Sequence, residues 1–295
     1  LDWLYKFPEF DNAMMTVFKR AVDDGFRSFT REYGQAIEAM FSPLQWFLIQ
    51  SERFMLNTPW PIILLLILSL VFLGSRSIKI TFGAFLAFAL IGALGMWSDA
   101  MKTVSLIFVG TVVAIVVGIP IGVLMAMSDK LRRVVVPILD VMQTLPSFVY
   151  LLPVVMLLGI GRVPGLIAVV IYAIPPVIRL TDLGIRQVDR DVLEAADAFG
   201  SSRWQKLKDV QFPLAMPTIM AGINQTIMMA LAMVVIASMI GVQGLGQPVL
   251  RAIQNQYFTL GLFNGMAVVF IAIVFDRASQ AFGRNLQKHL EVVHG

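Results

Sequence analysis

Along this chain, apolar runs long enough to cross a bilayer alternate with short knots of charge. A span needs ~20 predominantly apolar residues. Runs of that kind cover about 59–75, 80–97, 103–127, 134–159, 163–179, 214–240 and 259–276. They predict an all-α integral membrane protein with about seven transmembrane helices. Only Arg76 and Lys79 part the first two runs. The fifth holds Pro175-Pro176, so its lower half is expected to be kinked or unwound, with Arg162 and Arg179 snorkelling from its ends. The pattern divides the chain into an interfacial N-terminal region (1–58), a transmembrane domain (59–281) with a polar loop at 180–213, and a C-terminal tail (282–295).

The N-terminal region scatters aromatics among charges: Trp3, Phe7, Phe10, Phe18, Phe26, Phe29, Phe41, Trp46 and Phe47. Between Phe10 and Phe47 this predicts amphipathic helix, its apolar face on a membrane surface or on the bundle. So many aromatics argue against disorder. Leu1–Ser51 has no cationic start followed by an apolar core, so no signal peptide is expected there.

Composition strengthens the membrane reading. The chain is 58% hydrophobic and 14% charged, with a mean hydropathy of +0.79, against about 25% charged in a soluble domain. It has no cysteine, which excludes disulfides and thiolate metal sites. Both histidines, His289 and His294, fall in the last seven residues, which excludes a buried histidine metal site or proton relay. A net charge of +4 would suggest nucleic acid in a soluble protein. Here basic residues flanking spans on the cytoplasmic side account for it, and no nucleic-acid partner is expected.

The basic residues also set an orientation. With the N-terminus outside, inside segments hold fourteen lysines and arginines and the short outside loops only Lys102, Arg162 and Arg251. The six basic residues of the N-terminal region are matched by eight acids. The C-terminus is therefore expected inside.

On this topology the segment 182–209 is a cytoplasmic loop between the fifth and sixth spans. Its eleven charges would cost on the order of 30 kcal/mol to insert, at ~3 kcal/mol each. It reads as two short helices. Asp191 with Glu194 forms a capping-box-like start for a helix over Val192–Phe199, and Gly200 supplies a left-handed C-cap. Ser202 with Gln205 repeats the box, and Pro213 stops the second helix. Small Ala195, Ala196 and Ala198 would let another backbone approach closely, while Trp204 and Leu207 share a face of helix two. These features suit a docking surface or a hairpin that merely closes the bundle.

Enzymatic chemistry is not expected. The chain has no GxxxxGK[ST], HExxH or GxSxG and no paired carboxylates in a span. "GIGRVPG" (Gly159–Gly165) and "GVQGLGQ" (Gly241–Gln247) read as loop turns. Within the spans Asp140 is the one conspicuous ionisable residue, expected to pair with Arg132 or Arg133 near an interface. An ion-coupled carrier usually needs such groups at the midplane.

Glu194-Ala195-Ala196, three residues, Gly200, nine residues and Val210-Gln211-Phe212-Pro213 resemble the EAA motif (EAA-x3-G-x9-I-x-L-P) of permease subunits of binding-protein-dependent ABC importers. Val210 and Phe212 stand where that pattern has isoleucine and leucine. "QTLPSFVYLLPVVMLLGIG" (Gln143–Gly161), "PPVIRLT" (Pro175–Thr181), "QFPLAMPTIMAGINQTIMMALAMVVIASMIG" (Gln211–Gly241) and "GLGQPVLRAI" (Gly244–Ile253) look like the glycine betaine/proline branch of that family. The resemblance covers roughly 95–283. It implies an ABC importer permease fold in a bacterial inner membrane, with the loop as a coupling helix docked on an ATPase. Glu194, Ala195, Ala196, Asp197, Phe199, Gly200, Trp204 and Pro213 would carry that docking. Implied partners are a second permease copy, two cytoplasmic ATPase subunits that bind ATP and magnesium, and an extracytoplasmic substrate-binding protein. This chain itself would hold no cofactor or metal.

The implied cargo is glycine betaine or a related methylated amine. Phe148 and Tyr150, near Pro146 and Pro153, offer aromatic faces to such a cation. Asn224, with Gln225 and Thr226, would line a path or bond between helices. Met228, Met229, Met233 and Met239 suit a path that closes without holding its cargo, or plain packing. The alternative function is an ion-gradient-driven carrier or channel without an ATPase.

Overall fold

The computed structural model describes residues 11–294, with side chains described through 285. Trp3, Phe7 and Phe10 lie outside the described residues, as do the side chains of Lys288, His289 and His294. Every regular element among the described residues is helical.

Two helices make the N-terminal region, α1 (Asn12–Met40) and α2 (Ser42–Asn57). Asp11 caps α1, accepting from the Ala13 N–H at 3.3 Å. α1 buries none of its residues and leaves Phe18, Phe29 and Tyr33 exposed. α2 instead lies on α5 (Trp97–Met127), burying Leu48 and Glu52. The expected amphipathic region is thus an exposed helix followed by one packed on the bundle.

α2 turns by 115° into α3 (Trp60–Ser75) at Thr58-Pro59, and α4 (Ile78–Ala93) follows. The same device recurs between α6 (Asp129–Thr144) and α7 (Ser147–Leu158), which meet at 102°. Proline disfavours the helical region for the residue before it. Thr58 (ψ 137°) and Leu145 (ψ 133°) are accordingly extended, and the chain turns a corner before each new helix. The run at 134–159, expected as one span, is therefore bent.

Four helices are long and apolar enough to cross a membrane: Trp97–Met127, Arg162–Arg186, Arg203–Ser238 and Phe258–Asn285. Of the three other expected runs, 59–75 is α3, one arm of a bent pair, 134–159 passes through the other bent pair, and 80–97 holds the 16-residue α4. Arg162–Arg186 joins α8 (Arg162–Ala173) to α9 (Pro175–Arg186). The kink expected at Pro175-Pro176 falls at Ile174, where α8 gives way to α9, and the two helices still form one 25-residue span. The prolines occupy the first turn of α9, where a missing N–H removes no bond that the helix would make. The span therefore continues past residue 179 and carries Asp182 and Arg186, which sequence alone assigned to the loop. α14 (Phe258–His294) likewise runs without a break into the C-terminal tail.

Small residues bring the central helices together. A Cβ on Gly118 of α5 would lie 2.5 Å from Val177 Cγ1 of α9, and one on Gly122 would lie 2.7 Å from the Ile178 carbonyl oxygen. On the other side of α9, a Cβ on Gly184 would meet Thr218 Cβ of α12 (Phe212–Ser238) at 2.9 Å. Such close approach is what drives packing between apolar helices in lipid, where burial of apolar surface offers little. The main core behind this contact includes Phe88, Met101, Ile107, Leu166, Met233 and Ile271. Exposed apolar residues such as Leu65, Leu73, Val116 and Val269 cover the outside, as a lipid-facing surface requires.

Candidate functional site

The polar segment between α9 and α12 is a compact arm. Its first helix, α10 (Arg190–Ala198), starts two residues earlier than expected. Asp189 is the N-cap, accepting the Asp191 N–H at 3.0 Å, so Asp191 and Glu194 lie inside the helix and do not form its capping box. At the other end Gly200 takes φ +76°, a conformation that only glycine enters cheaply. Its N–H donates to the Asp197 carbonyl at 2.9 Å and that of Ser201 to the Ala196 carbonyl at 3.0 Å. This pair of bonds is a Schellman closure, and it reverses the chain immediately after Phe199.

α11 (Arg203–Gln205) opens with the predicted capping box: Ser202 Oγ accepts from the Gln205 N–H at 3.3 Å, and Gln205 Oε1 from the Ser202 N–H at 2.9 Å. Pro213 does not stop this helix. A π-helical turn (Lys206–Gln211) carries it into α12, so that Arg203–Ser238 is one 36-residue helix. Proline cannot donate to the carbonyl one turn back, and widening the preceding turn absorbs that gap in the ladder.

Two contacts make the arm stiff. Lys206 Nζ bridges both carboxylate oxygens of Asp197, at 2.6 and 2.7 Å, and so ties α10 to the π-helical turn. Leu207 is buried with Ile185, Ala215 and Ile219, which roots the turn between α9 and α12. Beyond that root, α10 buries nothing. Glu194, Ala195 and Asp197 are exposed, Ala196 is half-buried, and the rings of Phe199 and Trp204 are 91% and 65% exposed. Large aromatics are rarely left so bare on a rigid projection without a partner surface to receive them. Pro213 is half-buried where the arm enters α12.

Above the arm lies a polar knot that sequence reasoning missed. The Asp182 carboxylate, 6% exposed, accepts from Arg132 Nε of α6 at 2.9 Å and from Arg186 Nε at 2.8 Å. Arg186 also donates to the Met125 carbonyl of α5 at 2.7 Å and pairs with Asp129 at 2.7 Å. Asp140 pairs with Arg179, not with Arg132 or Arg133, because Arg132 is turned onto Asp182. The available signal was Asp182 four residues before Arg186, a spacing that places both on one helix face. Arg162, expected to snorkel, is held by Glu52 of α2 at 3.0 Å.

The expected path residues do not share one surface. Phe148 and Met239 are exposed, whereas Tyr150 is buried against Tyr172 with ring centroids 6.1 Å apart. Met233 is fully buried in the main core and Met228 and Met229 pack against it, so packing is their role in the protomer. Asn224 donates to Asp276 of α14 at 3.1 Å and accepts from Ser279, which makes it a link between helices. Also unanticipated were Gly118 and Gly122, whose four-residue spacing in an apolar run was legible as a helix-packing signal.

Comparison with known proteins agrees with this architecture. Residues 118–288 match the family described as "Binding-protein-dependent transport system inner membrane component". The chain is 43% identical over 264 residues to the glycine betaine/proline betaine transport system permease protein ProW of Escherichia coli (strain K12), covering 90% of this chain and 74% of that one. It is also 43% identical to the glycine betaine/carnitine transport permease protein GbuB of Listeria monocytogenes serotype 1/2a (strain 10403S), covering 88% and 90%. A solved inward-facing MetNI methionine ABC transporter chain superposes with a TM-score of 0.58 at 20% identity, over 65% of this chain and 95% of that chain, a likeness of fold. The chain belongs to the family of inner-membrane components of binding-protein-dependent transport systems.

Proposed function

We propose that this chain is the membrane subunit of an ATP-driven importer of glycine betaine or a closely related methylated amine. The exposed arm between α9 and α12 carries the proposal. It is stiff, rooted in two spans, and offers Phe199, Trp204 and the small residues of α10 to a partner. The relatives' names supply the solute class. Two copies of the chain pair in the bilayer, with the N-terminus outside and the C-terminus inside. Each arm seats in a cytoplasmic ATPase subunit that binds ATP and magnesium, and an extracytoplasmic binding protein delivers the solute.

In this mechanism the Glu194-Ala195-Ala196 stretch of α10 is docked, Asp197 braces it through Lys206, and Gly200 sets its angle. When ATP closes the ATPase pair, each arm is displaced as a unit, because Lys206–Asp197 and Leu207 prevent it from folding away. Displacement passes to α9 and α12 together, and the bundle exchanges an inward opening for an outward one. The chain performs no bond chemistry of its own.

The test is reconstitution in liposomes with the companion ATPase and binding protein. Uptake of labelled glycine betaine should need ATP on the ATPase side and should vanish in Gly200→Pro and in Glu194→Arg, with both variants still inserted and monodisperse. Uptake by the chain alone, following a proton or sodium gradient, would overturn the proposal.

A further inference from the structure

A groove of about 470 Å³ runs between α4 and α14, away from the arm and from the Asp182 knot. Lys79 and Arg277 line it, and the rest of its wall is apolar, including Gly83, Ala87, Leu90 and Ile273. The two cations lie at the same end. Asn285 of α14 donates to the Gly74 carbonyl at 3.0 Å, which brings the start of α4 beside the later part of α14. Among the described residues neither Lys79 nor Arg277 has a carboxylate partner. Asp276, next to Arg277, is engaged by Asn224 and Gln280.

The dimensions suit one kind of occupant. From Lys79 to Leu90 the groove follows eleven residue steps of helix, an axial length of ~16 Å. Half of a ~30 Å hydrocarbon core is ~15 Å. A molecule lying there would place an anionic group between these two cations and an apolar chain along one leaflet's depth. A cation at the end of a span usually only snorkels to water. Here two cations from different helices share a recess in which α4 turns glycine and alanine outward, and a Cβ on Gly83 would meet nothing within 4 Å.

We infer that the α4–α14 groove is a seat for an anionic phospholipid, its phosphate held by Lys79 and Arg277 and one acyl chain laid along Gly83 and Ala87. This site is separate from solute transport and does not depend on which solute is carried. Basic recesses between membrane helices hold anionic headgroups in this way, each cation adding a near-constant increment to the affinity.

The assembled transporter, purified from vesicles containing equal parts phosphatidylglycerol and phosphatidylcholine, tests the site by native mass spectrometry of the retained lipid. Retention of phosphatidylglycerol should exceed that of phosphatidylcholine by roughly thirtyfold, the product of two cations' contributions. Lys79→Gln with Arg277→Gln should bring the ratio close to one. Gly83→Leu fills open space, leaves both charges in place, and should lower retention of both lipids. Excess inorganic phosphate should displace neither lipid. Equal retention by the wild type, a ratio unmoved by the double variant, or displacement by inorganic phosphate would each overturn the assignment. Size-exclusion profiles of the variants separate loss of lipid from loss of fold.

Discussion

Asp182 and Arg132 are fifty positions apart in the chain and 2.9 Å apart in space. The carboxylate is almost wholly enclosed, while the guanidinium is half exposed. Through Arg186 the same carboxylate reaches the end of α5, so one residue joins three helices where the arm begins. The base of the arm is therefore tied to α5, α6 and α9 at one carboxylate.

Removing that carboxylate leaves two guanidiniums facing each other. Asp182→Ala should cost about 3 kcal/mol and lower the melting temperature in detergent by on the order of 5–10 °C. Arg132→Gln should cost much less, since Arg186 still serves Asp182. Heating followed by fluorescence-detected size exclusion compares the two. Equal losses would mean that Asp182 is not the centre of the knot.

Phe199 separates docking from folding. With its ring 91% exposed, Phe199→Ala removes almost no internal packing and should leave the melting temperature unchanged. If the ring is an anchor on the ATPase, affinity for that subunit should fall at least tenfold, the scale of an interface hot spot at about 2 kcal/mol or more. Surface plasmon resonance with immobilised permease would measure it. Undiminished binding would move the docking surface elsewhere on the arm.

Gly118 and Gly122 should respond differently to alanine. The Gly118 Cβ meets only side chains, first Val177 Cγ1 at 2.5 Å, so Val177→Ala should restore Gly118→Ala to near wild-type expression. Gly122 faces the Ile178 carbonyl at 2.7 Å as well as Thr181, and backbone cannot be trimmed. Gly122→Ala should remain poorly folded with Thr181→Ser added. Yields of monodisperse protein distinguish the pair.

The absence of cysteine makes orientation simple to measure. Single cysteines at Lys208, on the arm, and at Gln254 of α13 (Gly246–Asn255) should label from opposite sides of the membrane. An impermeant thiol reagent applied to intact cells should reach the Gln254 position and not the Lys208 position. The reverse pattern would invert the assigned topology.

Much of this molecule was legible before its structure. Most local signals were read correctly: apolar runs gave helices, Ser202 with Gln205 gave a box, and Gly200 gave a closure, though Asp191 with Glu194 did not, because Asp189 caps α10. Proline was misread in both directions. Its effect depends on which turn it occupies, so Pro213 sits within a continuous helix while Pro146 turns the chain by 102°. The knot at Asp182 depends on distant helices meeting, and no window of sequence contains both it and Arg132. Sequence left Met233 and Asn224 between lining a path and packing, because polarity and flexibility do not reveal which way a side chain faces; in the protomer Met233 lies in the core and Asn224 bonds Asp276.

The π-helical turn at Lys206–Gln211 has a mechanical meaning. One residue in surplus sets the rod below it about 100° out of phase with the rod above. Trp204 and the packed face of α12 therefore point in directions that no regular helix of the same sequence would give them. Deleting one residue from that turn would swing Trp204 around the axis while α12 stayed seated on α9. The joint acts as the keyway of a shaft: a single peptide unit fixes the angle of the arm about the axis of α12.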